Sequence, residues 1–368
     1  MADPDVEAPD FPAVLLTPEP GPRSRDSLAH LAARAGAAAG DLDQALALAR
    51  DLGAVVPIPG VGRTRERWST LATLGAVDLT VARVAEPHLD ALAILSEAGH
   101  PDFTDPALAG STWGVYAAEG AGARLCAHVD PRREPGAWNA WQLDGTKPWC
   151  SLAELVDRAL VTAWIDEHQR GLFAVSLRGP AVTVQPRAWV SHGLRAVRST
   201  PASFRSAGAT LLGTPGWYLD RDGFAWGGIG VAAIWFGGAV GVARRLRRQA
   251  GERELDQIGW AQLGTIDATL HGARSVLLES ADEIDQGRAC GERGALLALR
   301  VRQVVADAVE TTIRVADHAL GPGPLTVEAE HATRISDLRV YVRQHHAERD
   351  SAALGRATVA ALREAQPW

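Results

Sequence analysis

Two pairs of residues in the chain have side chains that could bind a flat ring or transfer a proton. Trp149 and Ser151 lie two positions apart, and they offer an aromatic face for stacking and a hydroxyl that can bond the edge of a flat ring. His345 and His346 are adjacent, and imidazole titrates near neutral pH. Because neighbouring helical residues point about 100° apart, only one histidine can face a given site. The alternatives are a tryptophan packed in the core and histidines that cap a helix junction.

Other side chains form no recognisable metal or nucleotide motif. Cys126, Cys150 and Cys290 are far apart, odd in number and without a C-x-x-C pair. This pattern predicts reduced thiols in a cytoplasmic protein, with neither a disulfide framework nor a metal site. The stretch 228–233 reads G-x-G-x-x-A, but no predicted strand leads into it, so a dinucleotide-binding fold is not expected.

The length, composition and net charge of the chain indicate a folded globular protein. The chain has 368 residues, enough for two or three domains with a substantial core. Its apolar fraction of 46% and charged fraction of 22% are typical of a folded globular protein. A net charge of -7 gives no reason to expect nucleic acid as a partner. The acidic N-terminus lacks the apolar core of a secretory signal, which also favours the cytoplasm.

One apolar stretch raises the question of a membrane span. Residues 223–243 carry no charge over 21 positions and precede four arginines. Seven of these 21 residues are glycine, and no second candidate span accompanies them. We therefore predict a helix buried inside a bundle, with glycines at close contacts, and no membrane span.

The pattern of apolar residues predicts a multidomain α+β protein. Helical periodicity comes first, and its last helix, Leu71 to Ala98, is expected to break at Pro87. Short apolar runs separated by turns then predict an antiparallel β domain. Helical periodicity returns in the last third and predicts a helical bundle. The predicted parts are a proline-rich arm (residues 1–25), an α-helical domain (26–110), a β domain (111–215) and a C-terminal bundle (216–368).

One segment of the β domain resembles a known family. The string WQLDGTKPWCS ends at Ser151 and is followed by Asp157 and an apolar strand. It is similar to the apolar-x-Gly-x-Lys-x-Trp-x-Thr/Ser segment of the acyl-CoA dehydrogenase superfamily of flavoproteins. The resemblance implies a β-barrel-like middle domain, a C-terminal four-helix bundle and FAD as cofactor, with FMN or no flavin as alternatives. It also implies that Trp149 packs against the isoalloxazine ring and that Ser151 bonds the polar edge of the ring. Lys147 is expected to be an exposed structural residue.

A second string matches the family more weakly. The segment around Gly120 and Gly122 lies where relatives carry Thr-Glu-Pro-Gly-Ala-Gly-Ser-Asp, a turn that binds flavin. The hydroxyl-bearing positions of that turn are Ala117 and Ala123 in this chain. The resemblance implies flavin contacts for the two glycines, with two side-chain hydrogen bonds missing.

The resemblance also implies self-association. In the family, FAD is shared across a subunit interface through an arginine and a glutamine of the second bundle helix. Arg253 and Gln262 lie in the corresponding region, at a shorter spacing than usual. We therefore expect a homodimer or homotetramer, with these two residues as cofactor-binding candidates.

Two residues are candidates for the substrate pocket. Glu86 and His88 fall in the helix that, in relatives, runs below the thioester of the substrate. The resemblance therefore implies a small acyl substrate, with a CoA thioester as one form, beside these side chains. The alternative for His88 is a histidine satisfied on the helix surface.

The usual catalytic base of the family is missing. Relatives carry a glutamate between the last two bundle helices, where this chain has His345, or in the first bundle helix, where residues 223–243 hold no ionisable side chain. The expected function is flavin-dependent oxidation of the CH-CH group of an acyl thioester or a related small molecule. Two alternatives stay open. His345 or His346 acts as the base, as in the flavin-dependent monooxygenase branch, or the chain is a non-catalytic acyl-binding or hetero-oligomer subunit.

Overall fold

The chain folds into an N-terminal helical part, a middle part of strands and a C-terminal helical part. The structure is a computed structural model, and it describes residues 13–16, 22–99, 110–134, 139–185, 189–252 and 254–362. The three successive parts are consistent with the predicted α+β class. Helix α1 begins at Pro22, inside the predicted arm, because proline is well tolerated in the first turn of a helix.

Four helices form the N-terminal part. Asp78 separates the last two of them, since its carboxylate accepts a hydrogen bond from the Val81 N–H and caps the new helix. The predicted break at Pro87 is wrong, because that helix continues through Pro87, which has no N–H to bond the Arg83 carbonyl. The helices are α1 (Pro22–Ala38), α2 (Leu42–Val55), α3 (Thr64–Val77) and α4 (Leu79–Glu97).

The middle part is a sheet whose pairings close into a ring. The strands are β1 (Trp113–Tyr116), β2 (Leu125–Val129), β3 (Trp141–Ser151), β4 (Arg158–Trp164), β5 (Arg170–Ser176), β6 (Val182–Val184) and β7 (Ser199–Leu212). Around the ring, β4 pairs with β2 and β5, while β3 and β7 link β2 to β5. Outside it, β1 pairs with β4 and β6 pairs with β7.

The prediction of a purely antiparallel sheet is wrong at one strand. Strand β4 runs parallel to β1 and also parallel to β2, which it meets at Cys126 and Trp164. The chain enters β4 only after the β2–β3 hairpin, and this longer connection allows it to return in the direction of β1.

The C-terminal part is helical and is built around α6. Its helices are α5 (Trp217–Asp220), α6 (Asp222–Glu252), α7 (Gln257–Asp285), α8 (Gly291–Leu320), α9 (Gly323–Val327), α10 (Ala329–Tyr341) and α11 (Glu348–Leu362). Helix α6 contains the apolar stretch and is, by length and composition, the one helix of the described residues that could cross a membrane. Its most apolar window is 67% buried inside the structure, as expected of a core helix.

Two glycines bring α6 and α3 into close contact. A Cβ on Gly237 would lie 2.0 Å from the Ala72 carbonyl oxygen, and a Cβ on Gly75 would lie 2.4 Å from that of Ile234. Only hydrogen fits at these positions. The C-terminal helices are thereby fixed against the N-terminal ones, and the surface between them positions the side chains described next.

Candidate functional site

Trp149 projects from an irregularity in β3. The register between β3 and β7 shifts between Lys147 and Cys150, and Trp149 has a φ of 58°, in the left-handed region that a bulky residue seldom adopts. The indole is 56% exposed, while Cys150 is fully buried. A large apolar ring is therefore held outward by a backbone conformation that costs energy, which is typical of functional positions.

The glycine turn lies beside this ring. A Cβ on Gly120 would lie 3.1 Å from Pro148 Cγ and 3.7 Å from Trp149 Nε1. The Ala123 N–H donates to the Gly120 carbonyl oxygen at 3.3 Å, and Gly122 has a φ of 75° with open space around it. The structure thus brings Gly120 and Trp149 together. Gly122 allows the tight turn that follows Gly120, and it lies on the solvent side of that turn.

Lys147 is buried beneath this surface. The prediction that it is exposed is wrong, because only 1% of its surface is accessible and its ammonium has partners inside the sheet. Nζ donates to Glu119 Oε1 at 2.6 Å and to Thr162 Oγ1 at 2.9 Å, and Arg170 contacts the same carboxylate. Burial opposes ionisation of Glu119, but its hydrogen bonds and charge interactions with Lys147 and Arg170 outweigh this and lower its pKa. The ion pair fixes the glycine turn to β3.

Ser151 points into the protein rather than toward solvent. Its Oγ accepts a hydrogen bond from Arg83 Nη2 at 3.2 Å and lies 2.7 Å from Ser199 Oγ. The Tyr116 hydroxyl donates to the Ser151 carbonyl oxygen at 2.9 Å. The serine is therefore held by α4, β1 and β7 at the junction of the helical and β parts.

Arg83 leads from Ser151 to a buried carboxyl group. Arg83 Nη1 lies 2.9 Å from Glu86 Oε2, to which the Tyr341 hydroxyl also donates at 3.2 Å. Burial raises the pKa of Glu86 to about 7, against the opposing effect of Arg83 and with a further increase from Asp90. A carboxyl group poised to exchange a proton near neutral pH is typical of catalytic sites.

Further charged residues lie between α4 and the helices packed against it. Arg67 Nη2 lies 3.2 Å from Asp90 Oδ1, and a Cβ on Gly227 would lie 3.4 Å from Asp90 Oδ2. Arg302 lies over the Trp235 ring at 4.8 Å and donates to the Gly228 carbonyl oxygen. This interior is polar, in contrast to the apolar tunnel that a long acyl chain requires.

His88 faces away from Glu86. The two residues are two positions apart on α4, which places their side chains about 200° apart around the helix. A Cβ on Gly53 of α2 would lie 2.7 Å from His88 Nε2, so the imidazole packs between helices. Burial, with a smaller effect of Arg50, lowers the pKa of His88 to about 4. The structure therefore does not bring the two predicted pocket residues together.

His345 and His346 follow α10, after a 3-10 turn over Val342–Gln344. His345 is buried, with Nε2 at 3.9 Å from Asp350 Oδ2, whereas His346 is exposed, with Nδ1 at 3.3 Å from Asp350 Oδ1. Burial lowers the pKa of His345, in spite of the opposing charge of Asp350. His345 is thus the neutral, inward-facing member of the pair at neutral pH.

The last two predicted residues concern the subunit interface. Arg253 lies outside the described residues, and Gln262 is partly buried on α7. Near Gln262, a groove of about 820 Å³ runs between α6 and α7, and it is lined in part by Arg247, Trp260 and Leu263.

Several residues of the site were missed by sequence reasoning. Arg83 precedes Glu86 by one helical turn, a spacing that favours an ion pair and could have been noticed. Tyr341 reaches Glu86 across 255 residues, and no local pattern reveals such a contact. Among the residues that the structure describes, no group of three or more His, Cys, Asp or Glu side chains could hold a metal ion.

Comparison with known proteins identifies the fold. No family profile and no curated protein sequence matches the chain. Nitrososynthase from Micromonospora carbonacea var. africana matches with a TM-score of 0.72 at 20% identity, over 89% of this chain and 94% of that one. FMN-bound TdsC from Paenibacillus sp. A11-2, a dibenzothiophene monooxygenase, matches with a TM-score of 0.74 at 16% identity, over 90% and 96%. Butyryl-CoA dehydrogenase from Megasphaera elsdenii matches with a TM-score of 0.75 at 16% identity, over 93% and 99%.

Proposed function

We propose that this chain, which has the fold of the acyl-CoA dehydrogenase-like flavoproteins, is a flavin-dependent oxidoreductase that stacks the isoalloxazine ring on Trp149. The observation that carries the proposal is the outward-facing Trp149 ring, 56% exposed on a left-handed backbone and bordered by Gly120. An aromatic face held in solvent beside a residue without a side chain leaves room for a flat ligand.

Ser151 fits the polar edge of such a ligand. A serine hydroxyl has one proton and two lone pairs. Ser151 Oγ accepts a hydrogen bond from Arg83 Nη2 and shares one with Ser199 Oγ, which can itself donate to the Val197 carbonyl oxygen. A ring carbonyl or nitrogen that takes the Ser151 proton would replace Ser199 as its acceptor. The bound flavin supplies two-electron redox chemistry, and the chain supplies binding, orientation and charge. FAD and FMN are both candidates, since FMN is the flavin of the TdsC structure.

We infer that the substrate is a small polar molecule and that the reaction is an oxygenation. The ion pairs Arg83–Glu86 and Arg67–Asp90 occupy the interior beside α4, and a long apolar chain packed against them would offer these charges no hydrogen-bonding partner. His345 stands at the α10–α11 junction as a neutral imidazole, able to take a proton from a substrate N–H or O–H group. Two of the similar structures are a nitrososynthase and a monooxygenase.

Oxidation of an acyl CH-CH group is the second candidate, and Glu86 favours it. Removal of a weakly acidic proton requires a carboxylate in a dry pocket with a pKa near the working pH. Glu86 is buried and has a pKa of about 7. Reduction of the bound flavin by butyryl-CoA without oxygen would support this candidate. Turnover that requires oxygen and an external reductant would support oxygenation.

The test of flavin binding compares Trp149 with an exposed aromatic residue outside the groove between α6 and α7. Wild-type protein, Trp149→Ala and Phe224→Ala are titrated with FMN and with FAD, and the visible bands and the quenching of flavin fluorescence are recorded. Phe224 is 43% exposed near the start of α6. We expect Trp149→Ala to weaken FMN binding about tenfold, from the loss of one stacking contact, and Phe224→Ala to leave it unchanged. Wild-type protein that binds neither flavin would refute the proposal and favour a non-catalytic acyl-binding or hetero-oligomer subunit.

We also propose that the protein is a homodimer or homotetramer of the cytoplasm. The groove between α6 and α7, together with the exposed Ile258 and Trp260 on α7, offers an apolar surface of the kind that oligomer interfaces cover. Light scattering of the purified protein would measure its mass, and a monomer would refute the oligomer.

A further inference from the structure

A continuous chain of polar contacts links α10 to the Ser151 edge of the site. The Tyr341 hydroxyl contacts Glu86 Oε2 at 3.2 Å, and Glu86 Oε2 contacts Arg83 Nη1 at 2.9 Å. Arg83 Nη2 contacts Ser151 Oγ at 3.2 Å, and Ser151 Oγ lies 2.7 Å from Ser199 Oγ. A single guanidinium therefore bridges a titratable carboxyl group and the serine.

The groups around Glu86 come from four elements. Arg83 and Asp90 belong to α4, Tyr341 to α10, Arg67 to α3 and Tyr218 to α5. Burial is the main reason that the pKa of Glu86 lies near 7, with Arg83 and the Tyr341 hydrogen bond lowering it and Asp90 raising it. The charge of Glu86 therefore changes within the physiological pH range.

We propose that Arg83 and Glu86 are positioning residues through which the ionisation of Glu86 sets the charge beside Ser151, and hence the reduction potential of the bound flavin. The proposal rests on the proposed function. When Glu86 is ionised, its charge compensates that of Arg83. When Glu86 is protonated, its carboxyl is neutral, and the positive charge of Arg83 next to Ser151 is no longer compensated.

The charge of the ring explains the coupling. Two-electron reduction with uptake of one proton leaves the ring with one negative charge, which a nearby positive charge stabilises. That negative charge in turn favours the protonated form of Glu86, so the Glu86 pKa rises on reduction. At pH values between the Glu86 pKa of the oxidised form and the higher pKa of the reduced form, reduction takes up a second proton, which resides on the Glu86 carboxyl.

The test measures the flavin midpoint potential between pH 5.5 and 9, with dithionite as reductant and indicator dyes as reference. In Glu86→Gln the side chain stays uncharged at every pH. Because proton uptake by the flavin ring itself is common to the wild type and the variant, the variant gives the reference slope of midpoint potential against pH. We expect equal potentials below about pH 6.5. Above pH 7 the wild-type potential falls faster, by an extra 30 mV or so for each tenfold fall in proton concentration.

Two more variants separate positioning from a merely structural role. Tyr341→Phe removes a hydrogen bond that lowers the Glu86 pKa, so the steep segment moves to higher pH. Glu66→Gln is the matched control, since Glu66 also pairs with an arginine three residues away, Arg63, but on the surface. We expect its potentials to equal those of the wild type.

The outcomes are distinct. Wild-type protein that binds no flavin would refute the proposed function and, with it, this inference. Protein that binds flavin but shows the same slope as Glu86→Gln at every pH would overturn the inference alone. A Tyr341→Phe profile that coincides with the wild-type profile would also overturn it.

Discussion

Glu86 makes the stability of the flavin-free protein depend on pH in a direction opposite to that of most carboxylates. Burial raises its pKa from 4.5 to about 7, so the folded state holds a proton that the unfolded state has released. A group with a raised pKa contributes stability that is fully present below 4.5 and is lost as the pH rises through 7. At 1.36 kcal/mol per pKa unit, this change amounts to about 3 kcal/mol.

The perturbation is Glu86→Gln, which keeps the size of the side chain and imitates the protonated carboxyl. The free energy of unfolding of both proteins is measured by urea denaturation, with tryptophan fluorescence as the signal, at intervals from pH 4.5 to 8.5. We expect the stability of the wild type, relative to the variant, to fall by about 3 kcal/mol across this range. The control Glu66→Gln, on the exposed Arg63 pair, should run parallel to the wild type. A difference between wild type and Glu86→Gln that does not change with pH would refute the reasoning, because Glu86 would then titrate alike in both states.

Two further predictions concern helix contacts and catalysis. Gly237→Ala places a methyl group 2.0 Å from the Ala72 carbonyl oxygen and should lower the free energy of unfolding by about 2 kcal/mol. The control Gly264→Ala has open space around it and should raise the free energy of unfolding by about 0.5 kcal/mol. Equal effects of the two substitutions in urea denaturation would contradict the close α3–α6 contact. His345→Ala should lower turnover about 100-fold as expected for loss of a general base, and His346→Ala, on the exposed side, should leave it unchanged; unchanged turnover in His345→Ala would remove this residue from the mechanism.

Local patterns predicted part of the site. The short string that ends at Ser151 predicted a role for Trp149 and the glycine turn predicted one for Gly120, and the structure places these two residues next to each other. Only one of the two histidines faces inward, and it is His345, but both lie in the connection between the 3-10 turn and α11, so the 100° helical step on which that prediction relied does not apply. These features are predictable because they depend on residues that are close in the sequence.

The features that sequence reasoning missed depend on distant partners. Lys147 belongs to a charged residue type that is mostly exposed. Its burial is made tolerable by Thr162 of β4 and by Glu119, which lies in the segment after β1. The Tyr341 contact with Glu86 spans 255 residues and leaves no periodic signal. The end of α3 at Asp78 was missed because the prediction relied on Pro87 as a helix breaker, although a capping carboxylate acts more strongly at this site.

The closed ring of strands has a consequence for aggregation. Strands with an unpaired side can add strands of another chain, which is a common route to insoluble assemblies. Among the described residues each strand of the ring pairs with at least two others, although β2 meets β4 at a single residue pair, and the strands outside the ring, β1 and β6, are four and three residues long. A sheet with short free edges disfavours growth from one molecule to the next.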